Sequence, residues 1–200
     1  MRYSIIGSGE VGAALARHFA RSGIPVGLAN SRGPESLKAL CTDIGAMVAP
    51  MSLQEALQAD VIVLAMPFWA HRELAKAAAS WHGKLVIDAT NAYGVPVVEL
   101  DGLPSSVVIA RALPGAHLVK AFNHLPAKLL ALQPGDGRGR RAIFLSGDDT
   151  AAVTRVATLA DQLGFAPVQL GRLAEGGTLV QACERAWGPL IFQDLVKVEG

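Results

Sequence analysis

The chain has 200 residues, of which 51% are hydrophobic, and its formal net charge is +1. This length allows one domain with a full core, and the near-neutral charge gives no electrostatic basis for binding nucleic acid or an anionic membrane. The longest apolar run, residues 61–70, is interrupted by Pro67 and is too short to span a bilayer. The chain starts almost at once with a strand, so no signal peptide is expected, and Cys41 and Cys183 fit neither a disulfide framework nor a zinc site. We therefore expect a soluble, cytoplasmic protein without a bound metal.

Strand and helix patterns alternate along the chain. Strands are predicted over residues 2–6, 25–29, 46–49, 61–66, 84–89, 118–122, 141–146 and 167–170. Helices are predicted over residues 10–22, 34–43, 53–59, 70–81, 105–113, 150–163 and 179–196. The residues Ser52 to Glu55 form a capping-box sequence that opens the third helix, and residues 148–150 (Asp-Asp-Thr) are expected to cap the sixth. This order predicts an α/β fold with a doubly wound, mostly parallel sheet, the Rossmann NAD(P)-binding fold, and a small C-terminal helical extension. We expect one domain over residues 1–200, with a dinucleotide-binding core (1–117) and a sheet extension carrying an acceptor-site and dimer part (118–200).

Three spaced glycines follow the first strand and open the first helix. The motif runs from Gly7 to Gly12 and comprises Gly7, Ser8, Gly9, Glu10, Val11 and Gly12. In a strand–turn–helix context such glycines give a tight turn, a close backbone approach to a diphosphate, and close packing of helix on strand. The free N–H groups and the dipole of the helix start attract the anion. The motif therefore predicts a dinucleotide site, the alternative being a purely structural turn.

The end of the second predicted strand indicates which dinucleotide is bound. An NAD site places Asp or Glu there to accept hydrogen bonds from the ribose 2′-hydroxyl, whereas this chain has Asn30, Ser31 and Arg32. A carboxylate would repel a 2′-phosphate, but Ser31 can donate a hydrogen bond to it and Arg32 can clamp or stack over it. The segment favours NADP(H), unless Arg32 is only a solvated cation at a helix start.

Two further strand ends face the same predicted crevice. Ala65, Met66 and Pro67 follow the fourth strand, where the strand order reverses, and Asn91 follows the fifth. The backbone at residues 65–67 should border the ribose and nicotinamide, although the side chain of Met66 could equally belong to the core.

Catalytic acid–base residues are not evident in the sequence. There is no Tyr-x-x-x-Lys pair, and the possible proton donors are His71, His117 and His124. His124 is the best-placed candidate because it follows a strand directly, although a locally bonded or surface imidazole is the plainer interpretation of any one of these histidines.

The chain resembles the NADPH-dependent reductases of the deazaflavin coenzyme F420, and the related oxidoreductase domain of membrane ferric reductases. The motifs that carry the resemblance are IGSGEVG (6–12), ANSR (29–32), AMP (65–67) with His71, KAFNHLPA (120–127), SGDD (146–149) and LGRLA (170–174). They occur in order over nearly the whole chain. The resemblance implies that His71 belongs to the cofactor site and that residues 122–127, with the C-terminal part, line a second pocket for the acceptor.

This resemblance implies hydride transfer between NADPH and a flavin-like ring, namely coenzyme F420, FMN or FAD. Such a transfer needs positioning and exclusion of water more than an acid–base residue. Two other functions stay open: an NADPH-binding sensor or regulatory protein without turnover, and a reductase of a small imine or carbonyl. The apolar residues Leu190, Ile191 and Phe192, with Leu195 and Val196, indicate a homodimer contact or packing on the chain's own sheet.

Overall fold

The computed structural model describes residues 1–135 and 139–181, in which eight strands form one continuous sheet. The order across the sheet is β3-β2-β1-β4-β5-β6-β7-β8. The strands are β1 (Tyr3–Ile6), β2 (Val26–Ala29), β3 (Val48–Pro50), β4 (Val61–Leu64), β5 (Leu85–Asp88), β6 (His117–Lys120), β7 (Ala142–Gly147) and β8 (Ala166–Gln169). From β1 near the middle of the sheet, β2 and β3 follow in order towards one edge. The chain then crosses to the other side of β1, where β4 to β8 follow in order to the opposite edge.

Short helices connect most of the strands. The helices are α1 (Glu10–Arg21), α2 (Lys38–Ile44), α3 (Leu53–Ala56), α4 (His71–Ala77), α5 (Ser105–Ala112), α6 (Ala127–Leu130), α7 (Thr150–Gln162) and α8 (Gly176–Leu179). Turns of 3₁₀ helix cover Pro34–Leu37, Phe68–Ala70 and Val97–Leu100. The predicted capping box opens α3, where the Ser52 hydroxyl accepts from the backbone of Glu55 and the Glu55 carboxylate accepts from the backbone of Ser52.

Helices cover both faces of the sheet because alternate strand residues point to opposite sides. One apolar layer joins strand residues such as Ile5 and Val63 to α1, α2 and α7. The other joins strand residues such as Ile6 and Leu64 to α3, α4 and α5. The central strands are buried on both faces, which explains their continuous apolar sequences. The expected doubly wound, mostly parallel Rossmann fold is thus confirmed.

The direction of the last two strands could not be read from the sequence. Strands β1 to β6 are all parallel, whereas β7 pairs antiparallel to β6 and β8 pairs parallel to β7. Both β7 and β8 therefore run against the rest of the sheet. The pairs Val119–Gly147 and Lys120–Ser146 set the antiparallel register.

Four predicted elements end two or more residues earlier than expected. Helix α3 ends at Ala56 rather than at residue 59, and β4 ends at Leu64 rather than at residue 66. For the other two, α4 and β6, the structure shows a local cause. Helix α4 stops at Ala77 rather than at residue 81, and the buried indole of Trp81 donates a hydrogen bond to the carbonyl of Ala75. That carbonyl would otherwise accept from a following helical N–H. Strand β6 stops at Lys120 rather than at residue 122, because Phe122 has a φ of 62°, in the left-handed region.

The predicted C-terminal helix and the dimer contact lie almost entirely outside the described residues. Of residues 179–196, only Leu179, Val180 and Gln181 are described, and Leu179 ends the single turn of α8. Leu190, Ile191, Phe192, Leu195 and Val196 fall beyond residue 181. Within the described part of the chain, no helix is long and apolar enough to cross a membrane.

Candidate functional site

The glycine turn between β1 and α1 is shaped by close backbone contacts. Gly7 has a φ of 118°, and a Cβ on it would overlap the carbonyl of Ala65 at the end of β4. A Cβ on Gly12 would overlap the carbonyl of Gly7. These two glycines therefore let the turn, the helix and the neighbouring strand approach one another.

Gly9 differs from the other two glycines because a Cβ there would meet no atom within 4 Å. It is the N-cap residue of α1 and offers no side chain to the free N–H groups of the first helical turn. The space beside it, bounded by those N–H groups, is suited to an anion. Glu10 and Val11 are the first two residues of the helix, so their backbone N–H groups belong to this first turn.

The loop after β2 is ordered by the side chain of Asn30. Its amide nitrogen donates to the hydroxyls of Ser8 (3.0 Å) and Ser36 (3.1 Å), and its amide oxygen accepts from the backbone N–H of Arg32 (2.9 Å). Asn30 thus joins the glycine turn to the loop that carries Ser31 and Arg32. Both Ser31 and Arg32 are exposed, and among the described residues no carboxylate pairs with the Arg32 guanidinium.

One cavity of about 500 Å³ brings these two segments together. The sequence-predicted residues that line it are Gly7, Ser8, Gly9, Asn30, Ser31, Arg32, Ala65, Met66 and Pro67. The sequence-based reasoning missed other lining residues: Ile6, Leu53, Ala70, Glu73 and Leu74. Leu53 and Leu74 add an apolar wall, and the capping box before Leu53 was the only sequence signal for its placement.

His71 and the end of β4 form the wall beside the cavity. The backbone of Ala65 lies against Gly7, and Met66 and Pro67 continue the lining. His71 is buried, does not line this cavity, and its Nδ1 is 2.5 Å from the carbonyl of Phe68. Its imidazole also packs on the Phe68 ring at a centroid distance of 4.7 Å. The structure therefore places His71 as a support for the 3₁₀ turn that follows Pro67.

His124 lies in an apolar environment after β6. It is 4% exposed, and its ring packs on Phe144 at a centroid distance of 4.8 Å. Burial lowers the pKa of His124 to about 4, an effect that the backbone of Ala142 partly opposes, although neither ring nitrogen makes a hydrogen bond of regular geometry. A neutral imidazole at pH 7 is a poor proton donor, which weighs against a catalytic role. His117 is instead at the surface, 2.8 Å from the Asp149 carboxylate.

Asn91 contacts the loop after β6 rather than the cavity described above. Its amide nitrogen donates to the carbonyl of Asn123 (2.8 Å), and the amide nitrogen of Asn123 donates to the Asn91 side-chain oxygen (3.1 Å). The two side chains bridge the ends of β5 and β6. They belong to the part of the crevice on the other side of β4 from Arg32.

The fold and this site define a Rossmann-type dinucleotide-binding protein. Comparison with known proteins specifies the class further. Residues 2–92 match the family described as NADP oxidoreductase, coenzyme F420-dependent. The structure of a hypothetical protein, SMa0349 from Sinorhizobium meliloti, is 42% identical with a TM-score of 0.89, covering 98% of this chain and 96% of that chain.

Two other similar proteins carry functional names. A protein from Arthrobacter sp. FB24, named a putative F420-dependent NADP-reductase, is 25% identical with a TM-score of 0.76, covering 98% of this chain and 99% of that chain. The metalloreductase STEAP3 of Rattus norvegicus is 28% identical over 178 residues, which are 86% of this chain and 34% of that protein. The chain thus spans about a third of the length of this curated relative.

The chain belongs to the same family as the Sinorhizobium meliloti protein, and its residues 2–92 are similar to the coenzyme F420-dependent NADP oxidoreductases. The resemblance drawn from the sequence motifs is confirmed.

Proposed function

We propose that this protein is an NADPH-dependent oxidoreductase that transfers hydride between NADPH and a flavin-like acceptor, coenzyme F420 or a flavin such as FMN or FAD. The observation that carries the proposal is that the glycine turn and the Asn30–Arg32 loop line the same cavity. The oxidoreductase family and the name of the Arthrobacter protein support it. Two features of the cavity fit the dinucleotide: the open space beside Gly9, and the guanidinium of Arg32, with which no carboxylate of the described residues pairs.

Each segment of the cavity would hold a different part of the cofactor. The N–H groups of residues 9–12 would bind the diphosphate, and Ser31 and Arg32 would bind the 2′-phosphate through charge-assisted hydrogen bonds. Leu53 and Leu74 provide apolar surface for the adenine. Asn30 has its amide committed to Ser8, Ser36 and Arg32, so its contribution would be to hold the loop.

The other half of the cofactor would extend over β4 towards β5 and β6, because the 2′-phosphate end lies at β2. The backbone at Ala65–Pro67 would border the ribose and nicotinamide, and the residues from 118 onward would supply the acceptor's side. Bound NADPH supplies the hydride, and the chain's own residues orient the two rings and exclude water. Because such a transfer needs no acid–base residue of the protein, the neutral, buried His124 is compatible with it.

Replacing Arg32 tests the cofactor assignment. Arg32→Ala should weaken NADPH binding by about 10- to 100-fold, which corresponds to the loss of a charged hydrogen-bonding contact worth roughly 1.5–3 kcal/mol. Binding of NADH should change by less than about twofold, since NADH has no 2′-phosphate for the guanidinium to bind. Dissociation constants for both cofactors, measured by nucleotide fluorescence or calorimetry, give the comparison.

Lys38→Ala is the matched control for Arg32→Ala. Lys38 is a nearby exposed cation, but its ammonium is 2.7 Å from the Glu35 carboxylate and it does not line the cavity. Its removal should leave NADPH affinity nearly unchanged. Equal NADPH affinity in the wild-type protein and Arg32→Ala would contradict the assignment of the 2′-phosphate site.

A further inference from the structure

A buried ion pair joins the ends of β5 and β6. Lys120 and Asp88 are both 0% exposed, and the Lys120 ammonium is 3.1 Å from the Asp88 carboxylate and 2.6 Å from the carbonyl of Thr90. Asp88 also accepts from the backbone and hydroxyl of Thr90 (2.9 and 2.7 Å) and from the hydroxyl of Ser106 (2.7 Å). These contacts hold the backbone at the ends of β5 and β6 in place, because removing either Lys120 or Asp88 would leave the other as a buried charge without a counter-charge.

The loops that follow these two strands are linked by the reciprocal hydrogen bonds of Asn91 and Asn123. Asn91 follows Thr90, which the ion pair holds, and Asn123 follows Phe122, which has the unfavourable φ of 62°. A non-glycine residue keeps such a conformation only when its surroundings impose it. The hydrogen bond from Asn91 to the carbonyl of Asn123 is one such constraint.

The same network holds residues 180 and 181. Besides Asn91, the amide nitrogen of Asn123 donates to the carbonyl of Val180 (2.8 Å). The side-chain oxygen of Gln181 accepts from the backbone N–H of Ser105 at the start of α5 (2.7 Å). The hydroxyl of Ser106, the next residue, donates to the Asp88 carboxylate. Val180 and Gln181 are both buried.

These contacts form a closed polar ring through four parts of the fold. It passes through β5, the loop after β6, the 180–181 segment and the start of α5, and its members are Asp88, Lys120, Thr90, Asn91, Asn123, Val180, Gln181, Ser105 and Ser106. The cofactor's phosphates would lie on the other side of β4, at β1 and β2. The ring therefore lies at the carboxyl ends of the strands that would face the nicotinamide and the acceptor.

We propose that this polar ring is a positioning device for the acceptor: it holds the 180–181 segment against the ends of β5 and β6 and so sets the geometry of hydride transfer. The proposal rests on the function proposed above. The ring residues are positioning residues because they act through the segment they hold. Binding of the cofactor phosphates should not depend on them.

Asn123→Ala tests the proposal by removing the donor to Val180 and Asn91. Acceptor kcat/KM should fall by about tenfold or more, since a small misplacement of reacting groups has effects of this size, while the NADPH dissociation constant should stay within about threefold of wild type. Gln181→Ala, which removes the contact with Ser105, should give the same pattern. Steady-state kinetics with the acceptor varied at saturating NADPH give both values.

Val156→Ala is the control variant, because it should lower the stability of the protein without disturbing the polar ring. Val156 is fully buried on α7 and does not belong to the ring, so its truncation destabilises the core. Its acceptor kcat/KM per folded molecule should remain within about twofold of wild type. If Asn123→Ala and Gln181→Ala also keep wild-type acceptor kinetics, the positioning role is overturned.

Amide hydrogen exchange provides a measurement that does not require turnover. In Asn123→Ala, exchange of the peptide covering residues 170–181 should be faster by about tenfold or more, because a constraint on that segment has been removed. Exchange of residues 7–15 should be unchanged, and Val156→Ala should not affect residues 180–181 selectively. Unchanged exchange at 170–181 in Asn123→Ala would overturn the proposed ring.

If the wild-type protein reduces no acceptor, the proposed function fails, and the exchange result separately decides whether the ring holds the segment.

Discussion

Among single residues, His124 shows how burial decides what a side chain can do. From the sequence it is the best-placed proton donor, because it follows a strand at the predicted crevice. Its burial against Phe144 lowers its pKa to about 4, so the imidazole is neutral at pH 7. The sequence cannot reveal this effect, since it depends on β7, which lies about twenty residues further along the chain.

We predict that His124→Leu retains acceptor kcat and is as stable as wild type at pH 7, or more stable by up to about 2 kcal/mol, because the two buried ring nitrogens that it removes lack a hydrogen bond of regular geometry. Its stability should also depend less on pH. The folded-state pKa is below the ordinary value of 6.5, so the unfolded state takes up the proton first and stability falls as the pH drops from 6.5 towards 4. This group alone makes wild type lose about 2 kcal/mol between pH 7 and pH 5.

Urea unfolding of both proteins at pH 7 and pH 5, with acceptor turnover at pH 7, measures these effects. His18 supplies the comparison: burial also lowers its pKa to about 4, but its Nε2 is 2.5 Å from the carbonyl of Leu130. His18→Leu should therefore destabilise the protein at pH 7, because that carbonyl loses its partner. A large loss of kcat in a folded His124→Leu protein would restore His124 as a catalytic residue.

At the scale of secondary-structure elements, the three glycines of the turn between β1 and α1 have different surroundings. Gly7 and Gly12 are required by contacts within the chain, whereas the space beside Gly9 is open. The spacing of the three glycines predicts the turn and the helix start correctly. Which glycine serves packing and which faces open space follows from the position of β4, and the structure distinguishes them.

We predict that Gly7→Ala and Gly12→Ala destabilise the fold by about 2–4 kcal/mol, because the added methyl group overlaps backbone atoms. Gly9→Ala should change stability by less than about 1 kcal/mol, yet weaken NADPH binding by about tenfold or more, since the methyl group would occupy the space proposed for the diphosphate. Thermal unfolding and NADPH titration of the three variants test this contrast. Wild-type NADPH affinity in Gly9→Ala would contradict the placement of the diphosphate.

Local signals predict helix starts well but helix and strand ends less well. The capping box at Ser52 and the cap at Asp149 are found as expected, because both depend on residues three positions apart or fewer. In contrast, α4 ends early where Trp81 folds back onto Ala75. Strand β6 ends early at the constrained Phe122. Both endings depend on tertiary contacts that periodicity does not encode.

In the whole molecule, the alternation of strands and helices predicts the doubly wound sheet and the place of the crevice. It does not give the direction of β7 and β8, which run against the other strands. Apolar strand sequences look alike in either direction, and the pairing of Lys120 with Ser146 is a long-range contact. The polar ring at β5 and β6 was likewise invisible from sequence, because its members come from four separate segments.

The sequence supports the cofactor assignment more directly than it supports the acceptor assignment. Asn30, Ser31 and Arg32 follow a strand end that in related folds contacts the 2′-position of the ribose, so their residue types favour NADP(H) directly. No comparable local motif of the chain identifies the proposed acceptor, because a pocket selects a hydride-accepting ring by the shape of the pocket and by how it positions the ring.

The most direct test of the central claim is NADPH oxidation by the wild-type protein in the presence of coenzyme F420, FMN, FAD or a ferric chelate, with NADH in parallel. We predict rapid oxidation with F420 or a flavin, and a preference for NADPH over NADH of about tenfold or more, lost in Arg32→Ala. Tight NADPH binding without oxidation by any of these acceptors would contradict the proposed function and indicate a sensor. Turnover of only a small imine or carbonyl would contradict it as well.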